Sequence, residues 1–199
     1  MDEGRLLVFA TNNMHKVKEL NDILEKDKLD WVFRSLEELD IVEDIEENGI
    51  TLDENAKIKS SYIWNKYHKN SVGEDTGLEV EALNGAPGVY SARYAGNDKN
   101  DQANMEKLLA ELDGIAHRNA RFRTVISLVL AGEEFQFEGI VNGQIATMPQ
   151  GNQGFGYDPI FIPEGYNESF GVLGKEVKSL ISHRARAVKK LIEFLKMRS

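Results

Sequence analysis

A chain of 199 residues with a formal charge of -9, from 33 acidic and 24 basic side chains, is long enough to bury roughly 70% of its unfolded surface without staples. Zero cysteines exclude disulfides, thiolate zinc, iron–sulfur clusters and a cysteine nucleophile, so any metal must be held by oxygen or imidazole. The acidic balance argues against a nucleic-acid partner, and with no apolar run of about 18 residues and no charged-then-apolar leader the sequence predicts a cytoplasmic protein without a membrane partner.

Arg5 to Ala10 is a nearly continuous apolar run, the pattern of a strand buried on both faces of an α/β sheet. It ends in the polar turn Thr11-Asn12-Asn13-Met14-His15-Lys16, which gives way to a helical pattern with Val17, Leu20 and Leu24 on one face. Such a turn is either a helix cap or an anion site, since free N–H groups and the helix dipole both favour negative charge. A short strand at Trp31–Ser35 precedes an acidic stretch from Glu37 to Glu47, whose carboxylates are expected to be mostly solvated.

Thr51 and Glu54 have the spacing of a capping box and open a helix running to about His68. Its apolar stripe is Leu52, Ala56, Ile63 and Tyr67. Lys59 falls in the middle of that stripe and Asn55 at its edge; the lysine either snorkels to the rim or points inward as a phosphate ligand. Glu74-Asp75-Thr76-Gly77 is the chain's most conspicuous point, with two adjacent carboxylates leading into the alternating strand Leu78 to Ala82. Crowded like charges need hydrogen bonds, protonation or a cation, so a divalent metal competes with plain surface acidity as the explanation.

A turn at Asn84–Gly88 leads to Val89–Tyr94, where Arg93 lies among small and aromatic residues. Asp98 to Leu112 reads as a helix closed by Gly114, and Ala120–Leu130 and Phe135–Ile145 as two long strands joined in a hairpin at Gly132. An antiparallel pair in such a chain predicts a mixed sheet or a second lobe. No linker or composition shift divides residues 1–199, so a single domain is expected.

Gly151 to Asp158 is rich in glycine but fits neither the Walker A loop nor the dinucleotide fingerprint. Phe155, flanked by Gly154 and Gly156, either stacks on a planar ligand or packs into the core; Asp158 could accept hydrogen bonds or assist a metal. The last helical pattern, Glu176 to Met197, carries Arg184 near the centre of its apolar stripe. Either it is one helix, or Ser182 caps a new one with His183 and Arg184 in its first turn.

Cations therefore alternate with one acidic centre, the arrangement expected of a metal-bound polyphosphate site: lysines neutralise outer phosphates, carboxylates hold Mg²⁺ and an aromatic stacks a base. With no Ser-His-Asp ordering and no thiol, an activated water is the economical nucleophile.

The chain resembles the inosine/xanthosine triphosphate pyrophosphatases over its full length. The resemblance is carried by Ala10–Lys16, Glu54-Asn55-Ala56 with Lys59, Glu74–Gly77, Gly85–Tyr94, Gly154–Pro159 and Ser182–Arg184, in that order. It implies an elongated α/β fold with a mixed β-sheet, two lobes with an active-site cleft between them, and a homodimer. It implies hydrolysis of ITP, dITP and XTP, purine nucleoside triphosphates, to monophosphate and pyrophosphate with Mg²⁺. It also implies roles: Asp75 as proton acceptor and metal ligand, with Glu46 or Glu47 completing the metal site and Glu74 supporting it. Thr11, Asn12, Asn13, Met14, His15 and Lys16 would cradle the phosphates with Lys59 and Thr76 assisting, and Asn55 and Arg93 would also bind the substrate. Phe155, Gly156, Tyr157 and Asp158 would hold the purine, and Lys178, Ser182, His183 and Arg184 would read its edge. The family commonly has glycine where this chain has Asn12, and aspartate where it has Glu74. Pyrophosphatases for other modified nucleotides, and a nucleotide-binding regulator without turnover, are the competing readings.

Overall fold

The computed structural model describes residues 5–198. Its strands are β1 (Leu6–Phe9), β2 (Val32–Ser35), β3 (Ser71–Val80), β4 (Asn119–Leu130), β5 (Glu133–Ile145) and β6 (Phe161–Pro163). Its helices are α1 (Met14–Lys26), α2 (Leu52–Tyr67), α3 (Asp101–Glu111), α4 (Phe170–Ile181) and α5 (His183–Lys196). The strands form one sheet in the order β2-β1-β3-β4-β5-β6. β1 pairs in parallel with β2 and β3, whereas β5 and β6 are antiparallel. The mixed sheet expected from the sequence is thus present, and no helix among the described residues is long and apolar enough to cross a membrane.

The chain divides into two compact units. Among the described residues, the first comprises 5–75, 125–138 and 187–198, and the second 76–124 and 139–186. In the first unit the strict alternation of β1 sends its side chains to two different cores. Leu7 and Phe9 join Val72, Val17, Leu20, Leu24 and Leu191, while Val8 and Ala10 join Leu36, Ile41 and Ile63. Helix α1 therefore covers one face of β1 and α2 the other. Asn21 of α1 ties itself to the edge strand, accepting from the Phe33 N–H at 2.8 Å and donating to the Phe33 carbonyl at 3.0 Å. The second unit is built on Leu78, Val80, Leu108, Phe122, Val141, Phe161 and Phe170.

Several local expectations are met for the reasons given. Thr51 caps α2 in a complete capping box, its hydroxyl accepting from the Glu54 N–H at 3.1 Å. The β4–β5 connection is Ala131-Gly132, both left-handed at φ 51° and 86°, the two-residue turn whose twist suits a hairpin. Of the two readings of the C-terminal pattern, Ser182 as a cap is the one observed: α5 starts at His183, and the Ser182 hydroxyl accepts from the Ala185 N–H at 3.1 Å.

Other boundaries differ. β3 begins at Ser71, so Glu74–Gly77 lies inside a strand and does not merely lead into one. Helix α4 starts at Phe170 and is kinked at Gly174, where φ is 75°; its apolar first turn lacks the stripe that marks Glu176 onward. Asn12 is not among the left-handed residues, so the turn after β1 does not depend on a glycine there.

Candidate active site

The alternation of β3 decides how the two adjacent carboxylates are used. Val72 faces α1, and Glu74 follows it two residues on; Ser71, Gly73 and Asp75 face α2. Glu74 is buried and accepts from the Lys16 ammonium of α1 at 2.7 Å. Asp75 Oδ1 lies 3.8 Å from the Lys59 ammonium of α2. Opposite faces of the strand thus separate charges that the sequence alone shows side by side.

Lys59 is buried, as its place in the apolar stripe requires, and it reaches a second carboxylate, Glu47 Oε2, at 2.8 Å. Glu47 comes from the acidic stretch before α2; it and the neighbouring Glu46 are both exposed residues, and Glu47 is the one whose side chain reaches Lys59. The close approach of α2 to β3 is set by Gly73. A β-carbon there would lie 2.1 Å from the Ala56 carbonyl oxygen and 2.8 Å from the Lys59 β-carbon. Sequence reasoning missed this glycine, since a lone glycine in a strand pattern marks close backbone contact without naming the partner.

The turn after β1 is arranged as a cap. Asn13 Oδ1 accepts from the N–H groups of His15 and Lys16 at 3.1 and 3.3 Å, and Thr11 Oγ1 accepts from Asn13 N–H at 3.1 Å. Asn12, Met14 and His15 are exposed around it. Asn55 is buried and accepts from the Gly49 N–H at 2.9 Å, so it fastens the segment that carries Glu47.

The acidic stretch is mostly exposed, as expected, with Glu43 the half-buried member. Glu43 takes the Lys66 ammonium and the Tyr67 hydroxyl, the latter 2.7 and 2.8 Å from its two oxygens. These hydrogen bonds hold its carboxyl down to about 2.

In the second unit Thr76 Oγ1 is 2.7 Å from Thr124 Oγ1, and Arg93 is exposed at the end of a 3-10 turn over Gly88–Arg93. The glycine–aromatic loop is organised by Asp158, which is buried and accepts from the Phe155 N–H at 2.9 Å and the Lys178 ammonium at 2.5 Å. Gly154, at φ 83°, leaves room for it: a β-carbon there would lie 2.1 Å from Asp158 Oδ2. Gly156 donates its N–H to Asp101 at 2.7 Å.

Phe155 is left 76% exposed by this loop, with the Lys178 ammonium 4.1 Å from its ring centre. An exposed ring held by a tight loop, with one side occupied by a cation, offers its remaining face for stacking. Tyr157 instead turns inward and donates its hydroxyl to the Ser91 carbonyl at 2.9 Å; burial raises its pKa. His183 is buried and stacked on Phe122, with ring centres 4.8 Å apart, and Arg184 beside it is half-buried.

Two chemically distinct clusters result. The first unit gathers lysines with carboxylates; the second sets Lys178 against the exposed ring of Phe155. Residues 7–194 of the chain match the Ham1 family.

The chain belongs to the Ham1 family.

Relatives of similar length support the assignment. The chain is 50% identical over 189 residues to the dITP/XTP pyrophosphatase of Christiangramia forsetii, covering 95% of this chain and 98% of that one. It is 47% identical over 191 residues to the dITP/XTP pyrophosphatase of Bacillus subtilis, covering 94% and 96%. Among solved structures, the Staphylococcus aureus Ham1 protein superposes with a TM-score of 0.92 at 42% identity, covering 98% of this chain and all of that one (100%). The nucleoside-triphosphatase / dITP/XTP pyrophosphatase of Mycobacterium abscessus gives 0.83 at 39% identity, covering 94% and 97%. The mixed α/β architecture of this Ham1-family chain is therefore that of solved relatives.

Proposed function

We propose that this Ham1-family chain hydrolyses the deaminated purine nucleoside triphosphates ITP, dITP and XTP to the nucleoside monophosphate and pyrophosphate, with Mg²⁺ as cofactor. The shared activity name of relatives at about half identity supports the reading. The observation that carries it is the pair of carboxylates, Glu47 and Asp75, that approach one ammonium at 2.8 and 3.8 Å. Two hard oxygen donors brought around a positive charge fit a magnesium ion, which takes one or two protein carboxylates and completes its shell with water and substrate phosphates. Among the described residues no group of three or more His, Cys, Asp or Glu is gathered at one point, so such a shared shell suits these residues better than an all-protein cage.

When bound, Mg²⁺ would neutralise phosphate charge and lower the pKa of a coordinated water. Asp75 accepts the proton of the attacking water, whose oxygen joins one phosphate as the anhydride bond between the α and β phosphates breaks. Lys59 and Lys16 supply positive charge to the polyphosphate, with Thr76 as a further hydrogen-bond partner. Glu74 serves chiefly to hold Lys16. Phe155 stacks on the purine, and donors from Lys178, His183 and Arg184 suit a 6-keto oxygen while mismatching the 6-amino group of adenine. The homodimer and the cytoplasmic setting belong to the same reading and rest on family resemblance and composition.

The test is release of pyrophosphate from ITP, XTP, ATP and GTP, each with and without Mg²⁺. Strong release from ITP and XTP, dependent on Mg²⁺ and weak with ATP, is the expected pattern. Equal rates with all four, or release unaffected by chelation, would remove it.

A further inference from the structure

We propose that Glu43 is a positioning residue: gripped by Lys66 and Tyr67, it fixes the register in which residues 41–50 lie along α2, and so presents Glu47, and not its neighbour Glu46, to Lys59 and Asp75. The proposal rests on the reading of Glu47 as a magnesium ligand.

Residues 41–49 form neither helix nor strand, so side chains must hold them. They run antiparallel to α2, with anchors that descend the helix in order. Glu43 meets Lys66 and Tyr67, Ile45 packs against the cluster that contains Ile63, and Glu47 meets Lys59. Gly49 N–H then donates to Asn55 at 2.9 Å and Ile50 N–H to Glu54 at 2.7 Å. The outward positions between the anchors are exposed: Val42 at 93%, and Asp44 and Glu46 with it.

The spacing of the two acidic anchors matches the helix beneath them. Four extended residues span about 13 Å, and the eight helical residues from Lys59 to Tyr67 rise about 12 Å. A slip of one residue would turn Glu46 inward and Glu47 out, together with every other side chain of the segment. Ile41 opposes that slip through its N–H bond to the Leu36 carbonyl at 2.9 Å, at the start of the segment, and Ile45 through apolar contact, which is not directional. Glu43 adds a specific lock, because both of its oxygens accept from the Tyr67 hydroxyl while Lys66 also approaches the Tyr62 hydroxyl at 3.2 Å. Glu43 itself lies too far along the segment to share the Lys59 centre, so its effect on the metal is exerted through the backbone between positions 43 and 47.

The experiment uses the full chain without nucleotide and Mn²⁺ as the probe, with affinity measured by electron paramagnetic resonance and amide exchange followed across residues 41–50. Glu43→Ala is expected to weaken Mn²⁺ about tenfold and to speed exchange in the segment, in protein that remains folded at the assay temperature. Glu43→Gln, which keeps an acceptor for Tyr67, should recover most of the affinity. Glu47→Gln is the reference and should weaken Mn²⁺ at least as much as Glu43→Ala. If Glu47→Gln weakens binding and Glu43→Ala does not, the register role is overturned while Glu47 remains a ligand. If Glu47→Gln binds Mn²⁺ normally, the ligand reading fails and this proposal with it. Should Glu43→Ala not fold, Tyr67→Phe removes one donor from the same lock; normal Mn²⁺ affinity in that variant would overturn the role.

Discussion

Glu74 and Asp75 are neighbours in sequence yet face opposite sides of β3, the first paired with Lys16 at 2.7 Å and the second beside Lys59 at 3.8 Å. Their substitutions should therefore fail in different ways. Asp75→Asn is expected to lower kcat on ITP by about 10²- to 10⁴-fold, the usual worth of a positioned general base, with a melting curve close to wild type. Glu74→Gln leaves Lys16 without its buried counter-charge and is expected to cost about 1–3 kcal/mol, reduced from the fully buried case because Lys16 is partly solvated. Denaturant melts and initial rates of both variants distinguish the two effects; a stable, inactive Glu74→Gln with an active Asp75→Asn would reverse the assignment.

Gly73→Ala should injure both stability and turnover. The new β-carbon would sit 2.1 Å from the Ala56 carbonyl oxygen, so α2 must move off β3, and overpacking of this kind costs about 1–3 kcal/mol or more. Because Lys59 and Asp75 lie just beyond the contact, kcat should fall even in the folded fraction. Urea melts combined with rates normalised to folded protein check this.

Phe155→Ala should separate binding from folding. The ring is mostly exposed and braces no core, while a base–aromatic stack is worth about 1–3 kcal/mol. KM for ITP is expected to rise roughly 5- to 100-fold on that range, with Tm unchanged. An unchanged KM would place the purine elsewhere.

Glu43 gives a prediction in pH. Its carboxyl is held at about 2 against an ordinary 4.5 by hydrogen bonds from Lys66 and Tyr67. A carboxyl depressed on folding stabilises the folded chain above its unfolded pKa, and that contribution fades as pH falls toward the folded value. Wild type should thus exceed Glu43→Gln in urea midpoint by a constant margin from pH 7 to about 5, closing between about 4.5 and 2. A margin that does not change with pH would mean that the charge contributes nothing.

Much of this was legible in the residues themselves. The capping box at Thr51, the misplaced Lys59, the hairpin at Gly132 and the cap at Ser182 each follow from a local rule that tertiary packing reinforces. The split of Glu74 from Asp75 was hidden because β3 starts at Ser71, three residues before the conspicuous motif, and only strand alternation assigns the faces. Asn55 and Tyr157 are named by motif alone, and the fold adds that they fasten Gly49 and Ser91 respectively. The acidic stretch read as solvated because charge dominates its composition, while its period-two contacts with α2 become visible only when the helix is in place.

The most direct measurement is the ³¹P spectrum of the products formed from ITP and Mg²⁺. Cleavage at the anhydride bond between the α and β phosphates predicts IMP and pyrophosphate in equal amounts from the wild-type chain, with neither from Asp75→Asn on the same timescale. Formation of IDP and orthophosphate, or wild-type yields from Asp75→Asn, would contradict the account.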